Sequence, residues 1–167
     1  MQVVKLIIIS FVILFGIITI ISLFIPSNVQ ISKAVEINAT KDSVMQQLAD
    51  PMNWKNWYPS DANVEFLQVD GKIRGIMLDG STRLMITEKK EGEVTANYLA
   101  GSRDISTGWK VVPASNSAGV EWYMKFHLEW YPWKKFSSLL FEKRYGPVME
   151  KGLNNLKTYL ENHSSNK

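Results

Sequence analysis

The chain has no cysteine, which excludes a disulfide framework, a thiol nucleophile and every thiolate metal site. Histidine is nearly as scarce. His127 and His163 are the only two in 167 residues, which argues against an all-protein zinc site. A strong excess of either charge is missing as well: 19 basic residues face 16 acidic ones. That balance excludes a strongly basic nucleic-acid binder or an acidic tail, so no nucleic-acid partner is expected. There is no Gly-x-Ser-x-Gly, no phosphate loop, no dinucleotide fingerprint and no His-Glu-x-x-His. No pair of inward carboxylates suits acid–base work, no internal repeat is visible, and nothing calls for a cofactor or a metal.

What is present divides sharply. Residues 6–25, LIIISFVILFGIITIISLFI, carry no charge and only Ser10, Thr19 and Ser22 as polar side chains. Twenty helical residues rise roughly 30 Å, the thickness of a bilayer's hydrocarbon core. A signal peptide has a shorter apolar core and a small-x-small cleavage site, and IPSNVQIS after this run offers none. Residues 1–28 are therefore expected to form an uncleaved transmembrane anchor that meets the lipid bilayer through 6–25. Lys5 and the terminal amine precede the run, and only Lys33 follows closely. This places the N-terminus inside and the remaining chain outside the cytoplasm. The predicted location is the plasma (inner) membrane, with a single pass.

The remaining stretch, about 140 residues, suits one domain. Val29, Ile31, Val35 and Ile37 alternate as a strand, with Lys33 the exception on that face. Thr40 can cap a helix with Asp42 in its first turn and Val44, Met45 and Leu48 as its apolar stripe. Residues 51–59, PMNWKNWYP, read as a compact aromatic turn. Strands are predicted over 62–69, 73–78, 82–90, 93–100, 103–113 and 118–130, separated by Asp70-Gly71, Asp79-Gly80, Glu91-Gly92 and Gly101. In the last of these, Val120, Trp122, Met124, Phe126, Leu128 and Trp130 share one face, opposite Glu121, Tyr123, Lys125, His127 and Glu129. An antiparallel meander with one apolar face needs a cover. Phe136, Leu139 and Leu140 begin a helical pattern that Gly146-Pro147 is expected to interrupt. A second helix then presents Met149, Leu153, Leu156 and Leu160 to the sheet. Residues 163–167 read as a polar tail.

This order, with the entry SKAVEINATKDSVMQQLADPMNWKNWYP and the ending GPVMEKGLNNLKTYLE, resembles the START-like (SRPBCC) superfamily. More narrowly, it resembles the polyketide cyclase/dehydrase and lipid-transport group. The resemblance implies an α+β helix-grip fold over residues 29–162: six to seven antiparallel strands wrapped around a long C-terminal helix, behind one transmembrane helix. It also implies a hydrophobic small-molecule partner, since the superfamily includes lipid carriers, hormone-binding proteins and cyclases; a protein partner is left unspecified.

The candidate ligand contacts are Tyr98, Arg103, Ile105, Thr107, Trp109, Trp122, Met124, Phe126, Leu153 and Leu156. Their inward stripe is either a solid core or the wall of a cavity, the usual kind of small-molecule site. Trp54, Trp57 and Tyr58 are expected to plug the open end of the sheet. Gly152 leaves room for a ligand beneath the closing helix or permits close helix–sheet contact. Arg103 shares parity with Ile105 and Thr107 and could hold a carboxylate or phosphate at the rim. Glu88 shares parity with Leu84 and Ile86. His127 points away from the apolar stripe, the wrong direction for a general base. Lys134, Lys135, Lys143 and Arg144 form a basic patch beside Trp130, Tyr131 and Trp133: either a solvated face or a surface for anionic headgroups.

The leading expectation is a membrane-anchored module that binds a lipid or isoprenoid-like molecule between the sheet and the C-terminal helix. A cyclase or dehydratase using the same cavity is the enzymatic alternative, with Arg103 and Glu88 its only nominees. The third is an envelope interaction domain with a filled core and an exposed apolar patch elsewhere.

Overall fold

The computed structural model describes residues 2–60, 64–101 and 103–164. Helix α1 (Gln2–Leu23) is continuous for 22 residues and is long and apolar enough to cross a membrane. Pro26 cannot continue it, and the chain turns directly into β1 (Asn28–Ile37). Thr40 Oγ1 accepts a hydrogen bond from the Ser43 amide at 3.3 Å and caps α2 (Lys41–Ala49). The Asp50 carboxylate caps the one-turn α3 (Pro51–Trp54) by accepting from the Met52 amide at 2.9 Å.

Six strands follow as a meander: β2 (Glu65–Val69), β3 (Lys72–Asp79), β4 (Thr82–Lys90), β5 (Glu93–Ala100), β6 (Arg103–Pro113) and β7 (Ala118–His127). The β2–β3 turn has positive φ at both Asp70 (52°) and Gly71 (72°), matching the right-handed twist of a hairpin. At the next turn Asp79 Oδ1 accepts from the amides of Ser81 and Thr82 at 2.8 and 2.7 Å. β1 adds to the far edge and gives the order β1-β7-β6-β5-β4-β3-β2, antiparallel throughout. The connection from β1 to β2 must therefore cross one face of the sheet. It does so as α2 and α3, which pack on β5, β6 and β3.

The same face is covered further along by the C-terminal segment, α4 (Pro132–Ser137), a 3₁₀ turn (Ser138–Leu140) and α5 (Phe141–Ser164). α5 lies mainly on β1 and β7. Its stripe Met149, Leu153, Leu156 and Leu160 is buried as the spacing predicts. Lys33, the exception on β1, reaches α5 and pairs with Glu142 at 2.6 Å and Glu150 at 2.8 Å. Those two carboxylates hold the Lys33 ammonium well above the usual lysine range.

Several expectations are corrected. α5 runs unbroken through Gly146-Pro147. An interior proline costs about 3 kcal/mol, but Phe141 and Tyr145 before it and Met149 and Leu153 after it pack on one core. Helical packing on both sides offsets the lost bond. The helix also extends into the expected tail as far as Ser164; residues 165–167 lie outside the described residues, as do 62 and 63 of the strand predicted over 62–69. β7 stops at His127, so Trp130 leaves the inward stripe and is exposed, whereas Leu128 remains buried. Leu139 and Leu140 do not cover the sheet either; both face outward. On the opposite face of β7, Tyr123 is buried: it stands over Gly108, and its hydroxyl donates to Glu93 at 2.8 Å. Burial and that carboxylate push its phenol upward.

Candidate functional site

The apolar face of the sheet is filled from two directions. From α3 and the segment after it, Trp54, Trp57 and Tyr58 descend onto Trp109 of β6 and Trp122 of β7. The ring centroids are 5.4–6.3 Å apart in tilted and edge-on pairs. The expected plug at the end of the sheet is thus a packed aromatic cluster, in which burial pushes the Tyr58 phenol upward. Trp54 Nε1 donates to the Leu48 carbonyl at 2.9 Å, and Trp122 Nε1 to Thr107 Oγ1 at 2.8 Å. Thr107 in turn donates to the Tyr123 carbonyl at 2.9 Å, so this buried hydroxyl both accepts and donates. From the other side α5 presses Gly152 against the cluster. A Cβ there would lie 2.6 Å from Cζ3 of Trp122 and 3.0 Å from Cδ of Pro59. Of the two readings of Gly152, close helix–sheet contact is the one observed.

Trp109, Trp122, Met124, Leu153 and Leu156 are accordingly core residues, with Thr107 buried among them. Accessible space lies at one end of the sheet, where β6 begins, β7 ends and α4 gives way to α5. There a groove of about 690 Å³ has Ile105, Phe126, Leu128, Leu140, Phe141 and Tyr145 as its apolar lining. Phe126 meets Phe141 at 4.3 Å and Tyr145 at 5.2 Å between ring centroids. Tyr98 is half-buried beside the groove and contacts Tyr145 edge-on at 6.4 Å. Burial, first of all, raises its phenol, with the neighbouring Tyr145 adding to the effect. Four cationic side chains, Arg103, Lys134, Lys143 and Arg144, line the groove against two anionic ones, Asp104 and Glu129. Arg144 also lies over the Tyr145 ring at 5.6 Å.

Of the candidate ligand contacts, Arg103, Ile105 and Phe126 are thus brought together in this groove, and Tyr98 borders it. Sequence marks Leu128 as part of the inward stripe and Lys134, Lys143 and Arg144 as a basic patch, and the structure brings these into the groove as well; Phe141 and Tyr145 are the lining residues that sequence reasoning missed. Phe141 and Tyr145 stand at i and i+4 in one helix, a spacing that signals a shared face. Glu88 is corrected: an extra residue at Thr87 shifts the β4–β5 register between Ile86 and Glu88 and reverses its parity. Glu88 is exposed and pairs with Lys90 at 2.9 Å. His127 is exposed on the wet face, where its ring nitrogen meets Asn28 Oδ1 at 2.9 Å, as its parity indicated. A second depression of about 660 Å³ lies around it, with Val29 and Phe126 beside the polar Asn28, Gln30, Asn97 and Ser106.

Comparison with known proteins bears on the fold and the family. The family model described as polyketide cyclase / dehydrase and lipid transport matches residues 28–161. Among solved structures, a START superfamily protein from Mycobacterium smegmatis superposes with a TM-score of 0.59 at 17% identity, over 80% of this chain and 97% of that one. The Zhui aromatase/cyclase from a Streptomyces species gives 0.57 at 16% identity, over 80% and 94%. A norcoclaurine synthase point mutant from Thalictrum flavum, in complex with a transition-state analogue, gives 0.61 at 13%, over 82% and 96%. At such identities the likeness establishes the START-like fold. No curated protein sequence matches the chain.

Proposed function

The chain belongs to the polyketide cyclase / dehydrase and lipid transport family, and from that premise we propose that it is a membrane-anchored domain that binds a hydrophobic small molecule, lipid or isoprenoid-like. The groove between Ile105, Phe126 and Phe141 is the site, and α1 is a single-pass anchor in the plasma (inner) membrane that holds the domain outside the cytoplasm. The observation that carries this reading is the groove itself: an apolar lining continuous with the core, under a predominantly cationic rim. Its volume falls within the range of about 300–1,000 Å³ typical of small-molecule sites. Each ligand methylene buried on that lining contributes about 0.8 kcal/mol. Arg103, Lys143 and Arg144 would then orient a carboxylate or phosphate at the mouth.

This placement moves the ligand from beneath α5, where tryptophan fills the space, to the end of the sheet. It also weakens the enzymatic alternative. Glu88 stands outside the groove, and a guanidinium such as that of Arg103 suits charge pairing rather than proton transfer at neutral pH.

The test is native mass spectrometry of the full chain, purified from the producing cells in mild detergent, with lipid extraction of the same sample. A stoichiometric hydrophobic molecule is expected, and its retention should fall about tenfold in Lys143→Glu/Arg144→Glu, the order of one charge-assisted contact. A clean apo mass with no uptake from fatty acids, phospholipids or isoprenoids would overturn the proposal.

A further inference from the structure

Outside α1, the large exposed apolar side chains are mostly scattered singly, which is normal for a protein surface. One stretch differs. Trp130, Trp133, Leu139 and Leu140 are 68%, 60%, 69% and 63% exposed within eleven residues of chain. Tyr131 lies between the two tryptophans, 4.8 Å from Trp130 and stacked on Trp133 at 5.2 Å with the rings 3° from parallel. Nothing in the folding of the domain requires this arrangement, because the rings do not enter the core.

Their position relative to α1 gives it meaning. α4 packs on α1, where Ser22 is buried. Lys135, itself almost fully buried, donates from Nζ to the Ile25 carbonyl at 2.6 Å, so a side chain of α4 satisfies the backbone just past the end of α1. Leu128 ties down the next residues through its amide, which donates to the Ser27 carbonyl at 2.7 Å. The exposed stretch is thus held beside the point where an apolar spanning helix leaves the hydrocarbon. Tryptophan and tyrosine favour that depth. The adjoining cations Lys134, Lys143 and Arg144 favour a negatively charged surface there.

We infer that Trp130, Trp133, Leu139 and Leu140, bordered by Lys134 and Lys143, form a docking face that seats the domain on the anionic surface of the same bilayer that α1 crosses. This rests on the membrane-anchored reading. Its consequence is topographic. Lys134, Leu140 and Lys143 belong both to this face and to the groove, so the groove opens at headgroup depth. A bilayer molecule can then enter it without crossing bulk water.

The chain's six tryptophans make the test direct, because Trp54, Trp57, Trp109 and Trp122 are at most 1% exposed. The full chain is reconstituted into phosphatidylcholine vesicles, with and without phosphatidylglycerol, that carry lipid brominated near the glycerol end of the acyl chain. Emission from the wild type should be quenched, more strongly with phosphatidylglycerol, and Trp130→Phe/Trp133→Phe should lose nearly all of the quenching. Lys134→Glu/Lys143→Glu should lose the phosphatidylglycerol-dependent part. Flotation of the same vesicles reports the anchor separately. A chain that floats with unquenched wild-type emission overturns the docking face and leaves the anchor intact; covering of the face by a protein partner or a second copy would give this result. A chain that does not float overturns the anchor, and the docking face with it.

Discussion

Replacing Gly152 by alanine separates a filled interior from a hollow one. Alanine in the middle of a helix is favoured over glycine by about 1 kcal/mol, so with space beneath α5 the change would stabilise the protein. The structure predicts the opposite sign. The new Cβ would sit 2.6 Å from Trp122 Cζ3 and 3.0 Å from Pro59 Cδ. Trp122 cannot yield cheaply, because its indole is bonded to Thr107 and enclosed by Trp57, Tyr58 and Trp109. Overpacking of this kind costs about 1–3 kcal/mol, and two contacts this short put the cost near 2. The net effect is a loss of about 1 kcal/mol, or about 3–6 °C in Tm for a domain of this size. Thermal melting of the full chain in detergent micelles, followed by near-ultraviolet circular dichroism, reads the tryptophan cluster directly. Asn154→Ala, on the exposed side of the same helix, is the control and should raise Tm by the propensity difference alone. A rise in Tm for Gly152→Ala matching that of the control would refute the filled interior. It would also return the ligand to the space beneath α5.

Two further changes test the framework around the groove. Trp122→Phe removes the indole N–H that Thr107 accepts and leaves a void within the cluster. A loss of about 2–3 kcal/mol is expected in urea unfolding, and a loss under about 0.5 would show that the cluster repacks freely. Lys33→Met tests the link between β1 and α5 through pH. Because Glu142 and Glu150 raise the folded-state pKa of Lys33, its contribution is fully present below the unfolded lysine value of about 10.4 and is lost as pH rises beyond it towards the folded value. The Tm gap between wild type and Lys33→Met should therefore hold at neutral pH and narrow above about pH 10.4; a gap constant through that range would contradict the pairing.

Much of the fold was legible because an antiparallel sheet with one wet face writes itself into sequence at period two. Predicted strands 82–90, 93–100 and 103–113 coincide with β4, β5 and β6, and Asp-Gly and Glu-Gly junctions mark turns between neighbouring strands. The buried stripe of α5 was equally clear from its spacing. Local pattern failed where a single event altered its phase. The extra residue at Thr87 turned Glu88 outward, and the end of β7 at His127 released Trp130 from an alternation that continues on paper.

The candidate site was legible only in part. Arg103, Ile105 and Phe126 share a parity that the strands preserve, so they were found together; Phe141, Tyr145 and Arg144 come from a helix more than a dozen residues away. By itself the sequence determined the apolar first helix, the meander and the stripe that covers it, since these depend on periodicity and length. Whether Trp109 and Trp122 line a cavity or fill a core was decided only in three dimensions. The same inward parity serves both, and the outcome depends on α2 and α3 carrying Trp54 and Trp57 across the sheet. Tertiary structure likewise carried α5 through Gly146-Pro147 and set α4 beside the end of α1, because contacts distant in sequence outweighed local propensity.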